Sequence, residues 1–293
     1  MEKQQLSFKE FDIVKKFENS NATVSELRTG VFAPIEKISS TSKTYTQFIE
    51  NQKKRYIETS WGKTVIKGNI LTQTHRDLLD CLFAGAKEIK EMEGGAIAIY
   101  FSTSDILKSY SGTTSRNTKW LKDKLDEIQT TAIEFRTTDG EDFYSFNIIS
   151  SFAYSTKHKS FGIVITPEYR KYFEDQLTVN YTKELPKLLK VKSALLRAVI
   201  RFFWTHAQAS TMSIDNLLQT IGFPMESIRT KQTAIKEIRD SAELLKDYGI
   251  TYEPKTKLIY RKGSFDNSIT FMSTPNRTKE LPGLSDEQGE SRD

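Results

Sequence analysis

One stretch in the carboxy-terminal third of the chain carries side chains suited to reading nucleic-acid bases. If residues 225–248, MESIRTKQTAIKEIRDSAELLKDY, form a helix, one face is polar and largely basic. This face consists of Arg229, Gln232, Thr233, Lys236 and Asp240, flanked by Lys231 and Arg239. Arg and Lys read guanine in the major groove, Gln reads adenine, and flanking cations hold phosphates. The stretch has the chemistry of a recognition helix, although an ordinary solvated helix face has a similar composition.

The other face of this stretch carries regularly spaced apolar residues. They are Ile228, Ile235, Ile238, Ala242 and Leu245, at spacings of seven, three, four and three. This period is that of an amphipathic helix, and it predicts a buried stripe behind the polar face. A polar front and an apolar back would let the helix lie between a protein core and a DNA groove.

The elements around this helix predict a winged helix-turn-helix module. They are a long apolar helix over 186–206, a short helix over 213–221, and strands over 250–253 and 257–261. Ser213 caps the short helix and Gly222 ends it, while a turn with Pro254 joins the strands. The tip of this hairpin offers Lys255 and Lys257 to a phosphate backbone.

The first half of the chain repeats this order of elements. Strands are predicted over 55–60, 63–67, 96–101, 133–136, 143–154 and 161–165, and helices over 74–94, 104–110, 115–129 and from 167. Thr74 and Asp77 look like a capping box, and Thr138-Asp139-Gly140 is a hairpin turn. The 115–129 helix presents an outer face of Arg116, Lys119, Lys122 and Asp123. A second helix-turn-helix with its own wing follows from this order.

Length and charge bound the organisation of the molecule. The 293 residues, 37% of them hydrophobic, are enough for two compact units. The net charge is +5, yet residues 183–262 alone carry fifteen Lys or Arg against eight Asp or Glu, a net charge of +7. That concentration favours a polyanionic partner for the second unit. We therefore predict an α+β fold with a flexible segment over 1–27, winged-helix domains over 28–182 and 183–262, and a disordered acidic tail over 263–293.

Residue types for catalysis and for metal binding are sparse. The three histidines, His75, His158 and His206, are isolated, and the sequence contains neither a G-x-x-x-x-G-K-[ST] loop nor G-x-G-x-x-G. The single cysteine, Cys81, lies in an apolar run. We expect no enzymatic activity, no cofactor and no metal. The chain has no apolar run long enough for a signal peptide or a membrane span, so we expect a cytoplasmic protein without a membrane partner.

The chain resembles the replication initiators of theta-replicating, iteron-bearing plasmids. The resemblance rests on TGVFAP, on LTQTHRDLLDCL opening the first domain, and on KLLKVKSALLRAVIRFFW opening the second. It extends to SIDNLLQTIGF and RTKQTAIKEIRDSAELLKDYGI, which match the short helix and recognition helix of that family. The similarity covers roughly residues 28–262.

This resemblance implies two tandem winged-helix domains that bind direct repeats in double-stranded origin DNA. It further implies opening of an adjacent A·T-rich region, recruitment of host replication proteins (a helicase or an initiator), and a possible homodimer formed through the first domain. Carried over by position, the second recognition helix holds Arg229, Lys231, Gln232, Thr233, Lys236 and Arg239. The first holds Arg116, Lys119 and Lys122.

Two other classes of function remain open at this point. A winged-helix transcriptional regulator would bind a promoter operator, where inverted half-sites would distinguish it from an initiator. A strand-nicking replication enzyme would use a tyrosine such as Tyr169 or Tyr172 and a metal, and the absence of a histidine cluster speaks against it.

Overall fold

The computed structural model describes residues 13–59, 62–111, 118–136, 143–263 and 268–273. Its amino-terminal elements are α1 (Ile13–Glu18), β1 (Ala22–Thr23) and α2 (Val24–Arg28). Helices of the first module are α3 (Lys43–Glu50), α4 (Gln73–Ala84), α5 (Thr103–Ser111), α6 (Thr118–Gln129) and α7 (Pro167–Asp175). Its strands are β2 (Lys54–Thr59), β3 (Gly62–Lys67), β4 (Glu88–Glu91), β5 (Ile97–Ser102), β6 (Ala132–Arg136), β7 (Phe143–Asn147), β8 (Ile149–Ser155) and β9 (Ser160–Ile165). A turn of 3-10 helix, Glu93–Gly95, lies between β4 and β5.

The second module follows without a long connection. Its helices are α8 (Leu185–Leu188), α9 (Ala194–Trp204), α10 (Ile214–Thr220), α11 (Ile228–Asp240) and α12 (Ala242–Lys246). Its strands are β10 (Thr178–Asn180), β11 (Ser210–Ser213), β12 (Ile250–Glu253), β13 (Leu258–Arg261) and β14 (Thr270–Met272). Sheet β11-β13-β12 is antiparallel and supplies the wing beside the helix pair α10–α11.

The first module contains two antiparallel sheets of four strands, in the orders β2-β3-β6-β7 and β4-β5-β9-β8. A single strand was predicted over 143–154, but β7 and β8 are separate strands that pair in different sheets. The chain changes sheet at Ile148, whose side chain is fully buried. The break at Ile148 lets the chain leave the sheet in which β7 pairs with β6 and enter the sheet in which β8 pairs with β9.

Helix α4 is the central element of the molecule, since every residue from Gln73 to Phe83 is buried. The predicted capping box at Thr74 and Asp77 is wrong: Thr72 is the N-cap, and its backbone N–H donates to His75 Nδ1 at 3.0 Å. The helix also ends at Ala84 rather than near Gly94, and the residues after it form edge strand β4. Asp77 instead faces the second module.

The predicted long helices are each divided in the structure. The stretch 186–206 forms α8 and α9, because Ser193 restarts the helix by accepting the Leu196 N–H at 3.1 Å. The stretch 225–248 forms α11 and α12, which meet at Ser241. In both cases a serine, which favours helix ends over helix interiors, lies at the break.

Segments from early and late in the chain form a small sheet that was not predicted from the sequence. Strand β10 lies between β1 and β14, so residues near 22, 179 and 271 are neighbours. Helix α1 buries Ile13 and Phe17 in the hydrophobic core of the first module, where Phe17 stacks on Phe173. The prediction of a flexible segment is therefore wrong for residues 13–27, and that of a disordered tail is wrong for residues 268–273, which end in a paired strand. Residues 1–12 and 274–293 lie outside the described residues.

A buried network of charges joins the two modules. Arg201 on α9 donates to three side chains of α4: Gln73 at 2.6 Å, Asp77 at 2.5 Å and Asp80 at 2.7 Å. Asp80 also accepts from Arg76 at 2.9 Å and from the Tyr181 hydroxyl at 2.8 Å. Burial alone would lower the pKa of Arg201, but the carboxylates of Asp77 and Asp80 outweigh it and raise that pKa. The interface is thus built largely from paired buried charges, and their hydrogen bonds favour one geometry.

Candidate nucleic-acid interface

Serine caps at the starts of both helices and the buried face of α11 position the helix pair α10–α11. Ser213 caps α10 and Ser227 caps α11, accepting the N–H groups of Asn216 and Thr230, both at 3.1 Å. On α11 the side chains of Ala234 and Ile238 are buried in the hydrophobic core of the second module, the second core. Their burial fixes the rotation of α11, so that its opposite face points to solvent.

That outward face carries most of the predicted base-reading residues. The exposed ones are Arg229, Gln232, Thr233, Lys236 and Arg239. Thr233 donates its hydroxyl to the Arg229 carbonyl at 2.9 Å, and Arg239 pairs with Asp240 at 3.2 Å. The geometry thus groups polar donors along one helix face, where they can meet base edges and phosphates.

Lys231 lies apart from the outward face. Its ammonium group pairs with Asp215 of α10 at 2.9 Å, and its side chain is 34% exposed. Lys231 therefore ties the two helices of the pair together in this structure. A role at the phosphate backbone would require it to leave Asp215.

The wing places its two lysines at the hairpin tip. Lys255 and Lys257 are both exposed in the turn between β12 and β13, and Lys257 has a φ of 55°. The Lys257 carbonyl accepts the Ile214 N–H at 2.9 Å, which ties the tip to the start of α10. At the other end of β13, buried Arg261 donates to the carbonyls of His206 and Gln208. The wing is consequently fixed at both ends relative to the helix pair.

The first module presents a weaker version of the same surface. Lys119 and Lys122 are exposed on α6, while Leu121, Leu125 and Ile128 bury its back. Lys124 turns inward to Glu127, which also bonds His75 at 2.7 Å. Arg116 and the turn at 138–140 lie outside the described residues. The described outer face of α6 therefore holds two of the three predicted cations.

The charge of the second module is only partly displayed at its surface. Arg197 and Arg201, which contribute to the +7 of residues 183–262, are 5% and 1% exposed and pair with carboxylates of the first module. Arg261 is 3% exposed. The exposed cations of this module lie partly on α11 and the wing and partly around α8, where Lys183, Lys187, Lys190 and Lys192 are exposed.

Ile228 is placed wrongly by the sequence pattern. It was predicted in the buried stripe, but its side chain is 77% exposed at the first position of α11. The spacing of seven from Ile228 to Ile235 drifts by about 20° around a straight helix. Ile235 is itself only partly buried, and Ile228 lies about 20° further from the buried face, so Ile228 falls outside the stripe. The cap at Ser227 was the available signal, because it puts Ile228 at the helix end.

The start of α11 is also held by the first module. A cleft of about 380 Å³ separates α3 and β2 from the turn between α10 and α11. Across it, Glu226 accepts the Thr44 N–H at 2.8 Å, and Arg55 donates to the Gly222 carbonyl at 2.6 Å. Gly222 has a φ of 67°, and a Cβ there would lie 2.6 Å from the Arg55 guanidinium. Burial lowers the pKa of Arg55 to about 10.

The tyrosines considered for strand nicking are inside the protein. Tyr169 and Tyr172 are 0% and 7% exposed, and their hydroxyls bond Glu26 at 2.9 Å and Thr23 at 3.0 Å. Burial raises the pKa of both well above its usual value. Neither of these two hydroxyls can reach a DNA phosphate in this structure.

A metal-binding cluster and a membrane-spanning helix are both absent from the described part of the chain. Within it, His, Cys, Asp and Glu side chains form no group of three or more that could hold a metal ion. None of its helices combines the length and apolar character needed to cross a membrane.

Comparisons with known proteins identify the first module and the fold. Residues 62–195 match the family described as "Initiator Replication protein, WH1". A crystal structure of domain 2 and domain 3 of RctB is similar at a TM-score of 0.51 and 16% sequence identity, covering 83% of this chain and 99% of that chain. At this identity the likeness shows the fold alone. A search among curated protein sequences found no match.

The predicted resemblance to plasmid replication initiators is confirmed by the family match, and the tandem winged-helix fold by both comparisons.

Proposed function

We propose that this protein binds direct repeats in origin DNA sequence-specifically, because residues 62–195 match a family described as initiator replication proteins. In this proposal binding promotes opening of an adjacent A·T-rich region and brings host replication proteins, a helicase or an initiator, to the origin. The observation that carries the proposal is the outward face of α11, which groups Arg229, Gln232, Thr233 and Lys236 on one exposed surface.

The second module would do most of the sequence reading. Helix α11 lies in the major groove, where Arg229 and Lys236 reach guanine and Gln232 reaches adenine. The wing lysines Lys255 and Lys257 contact phosphates beside the groove and add affinity without sequence preference.

The first module would contact the adjoining turn of the duplex through Lys119 and Lys122. The buried network between α4 and α9 supports this division of labour, because it fixes the distance between the two reading helices. Two modules held in one geometry bind as a linked pair, so modest single affinities multiply.

Footprinting on the DNA beside the gene tests the proposal. The full chain should protect direct repeats over about two helical turns each, and its affinity should fall steeply as salt rises, by a slope of about 0.9 per phosphate contact. Salt-insensitive binding would argue against the proposal. Protection of inverted half-sites at a promoter alone would favour a transcriptional regulator.

A further inference from the structure

Helix α11 begins with an isoleucine that the fold does not use. Ile228 is 77% exposed, and it is absent from the second core that Ala234 and Ile238 join. Single apolar side chains are common on protein surfaces, so the position of Ile228, rather than its exposure, carries the argument. It lies at the first position of the helix whose polar residues are exposed beside it.

Ile228 shares the outward face with the residues that can read bases. Gln232 is one helical turn further along, and side chains four residues apart on a helix lie on the same face. Arg229 and Lys236 flank this pair on the exposed side. In helix-turn-helix proteins the amino-terminal residues of the recognition helix contact the base edges. An exposed aliphatic group therefore lies at the end of α11 that enters the groove first.

The major groove offers one aliphatic group to such a side chain. Thymine alone among the four bases presents a C5-methyl there, and apolar side chains make contact with it. We propose that Ile228 contacts a thymine methyl, and that the start of α11 selects thymine at a base pair next to the one that Gln232 reads. This inference rests on the proposed function and names a specificity-determining residue for it.

The charge around Ile228 is consistent with a nucleic-acid partner. The exposed neighbours Arg229, Gln232 and Lys236 carry two positive charges and no carboxylate. The nearest carboxylate before the helix, Glu226, is occupied by Thr44 across the cleft. With Arg229 and Gln232 exposed beside it, this apolar side chain fits a thymine in a phosphate-lined groove.

Base substitution in the DNA tests the contact directly. The full chain is used to select binding sequences from a randomised duplex of about two helical turns. Each thymine of the selected site is then replaced by uracil, which lacks only the methyl group. We expect a loss of about fourfold at one or two thymines, which corresponds to about 0.8 kcal/mol for one buried methyl. Uracil at the other thymines should change nothing.

Protein variants assign that loss to Ile228. With Ile228→Ala, thymine and uracil sites should bind equally well, whereas Ile228→Val should keep most of the discrimination. The matched control is Ile49→Ala, an exposed isoleucine on α3, which should bind like the parent chain. Because Ile228 lies outside the core, its variants should keep the melting temperature of the parent.

The outcomes separate this inference from the function beneath it. If no sequence is enriched, the proposed DNA binding fails. A sequence can be enriched and yet show no loss of affinity when any of its thymines is replaced by uracil. The loss can also be as large for Ile228→Ala as for the parent chain. Either result overturns the thymine contact and leaves the proposed DNA binding standing. A loss of self-association in Ile228→Ala, with the uracil effect unchanged, would also overturn it and assign Ile228 to a contact between protein copies.

Discussion

Arg229 lies on the outward face of α11, whereas Lys257 lies at the tip of the wing, so we expect the two side chains to have different roles. We predict that Arg229→Ala relaxes sequence preference, because a lost bidentate base contact costs about 1–3 kcal/mol of discrimination. Lys257→Ala should weaken binding to every sequence and lower the salt slope by about one. Titrations of both variants with the selected site and with random DNA measure the difference.

The same titrations show how α11 is oriented. If Arg229→Ala weakened specific and random DNA equally, Arg229 would be a phosphate clamp, and α11 would lie in the groove in another orientation. Lys171→Ala, on α7 outside both helix pairs, is the matched control for a lost surface lysine.

At the residue scale, sequence reasoning found the types of side chain but not all of their surroundings. Periodicity put Arg229, Gln232 and Lys236 on one face because neighbours on a helix are set locally. It gave no means of knowing that Lys231 pairs with Asp215. It also could not show that Arg201 pairs with acids more than 120 residues away. Partners distant in the chain depend on the tertiary fold.

At the scale of elements, the end of α9 has a titratable group that couples stability to pH. Burial, with Arg28 and Arg261 nearby, lowers the pKa of His206 to about 4. The folded state therefore resists protonation, while the unfolded chain takes up a proton near pH 6.5. This contribution to stability is complete above pH 6.5 and is lost as the pH falls towards 4. Because the ring is partly exposed, solvent screening reduces the loss, which reaches about 1–2 kcal/mol at pH 4.

Thermal unfolding of His206→Gln across this range isolates that contribution. The parent chain should lose about 1–2 kcal/mol more than the variant between pH 7 and pH 4, because the glutamine does not titrate. Acidic groups elsewhere affect both proteins alike and cancel in the comparison. Parallel curves for the two proteins would show that His206 titrates normally in the fold.

Strand β14 makes a second prediction at this scale. It pairs with β10, and Ile269 just before it is 6% exposed in the second core. A chain ending at residue 262 should lose about 2–4 kcal/mol of stability, because Ile269 and Phe271 lose their packing. A chain ending at residue 273 is the matched control and should keep the parent's melting temperature. Equal melting of both truncations would mean that β14 contributes little.

Elements with local signals were predicted well, and those made by distant pairing were not. Helix α10 could be read from Ser213 and Gly222, because caps lie within a few residues of the ends they set. The sheet β1-β10-β14 joins segments about 90 to 250 residues apart. Its strands have two or three residues each, too few for an alternating pattern to stand out.

At the scale of the whole molecule, the proposed contribution of the first module to DNA binding can be measured in the intact chain. Replacing both Lys119 and Lys122 by alanine should lower the salt slope by about two, since each phosphate contact contributes about 0.9. The footprint should also shorten at one end of each repeat. An unchanged slope and footprint would leave the face of α6 for protein contacts, most simply with a second copy of the chain.

An isolated second module would be a poor substitute for those variants. Cutting the chain at residue 183 would leave Arg197 and Arg201 without Asp77 and Asp80. Removing one side of a buried ion pair costs about 3–5 kcal/mol. This fragment would also lack β10, which belongs to the second module, precedes residue 183 and pairs with both β1 and β14.

The buried charge network between α4 and α9 predicts where the proposed DNA specificity can be exchanged between relatives. A chimera that exchanges residues 183–262 would import an α9 whose basic side chains must match acids in a foreign α4. One that exchanges only 210–261 would carry α10, α11 and the wing while leaving Arg197 and Arg201 with their native partners. The natural unit of exchange is therefore smaller than the winged-helix domain, and recombination inside the second module should yield working hybrids more often than recombination at its edge.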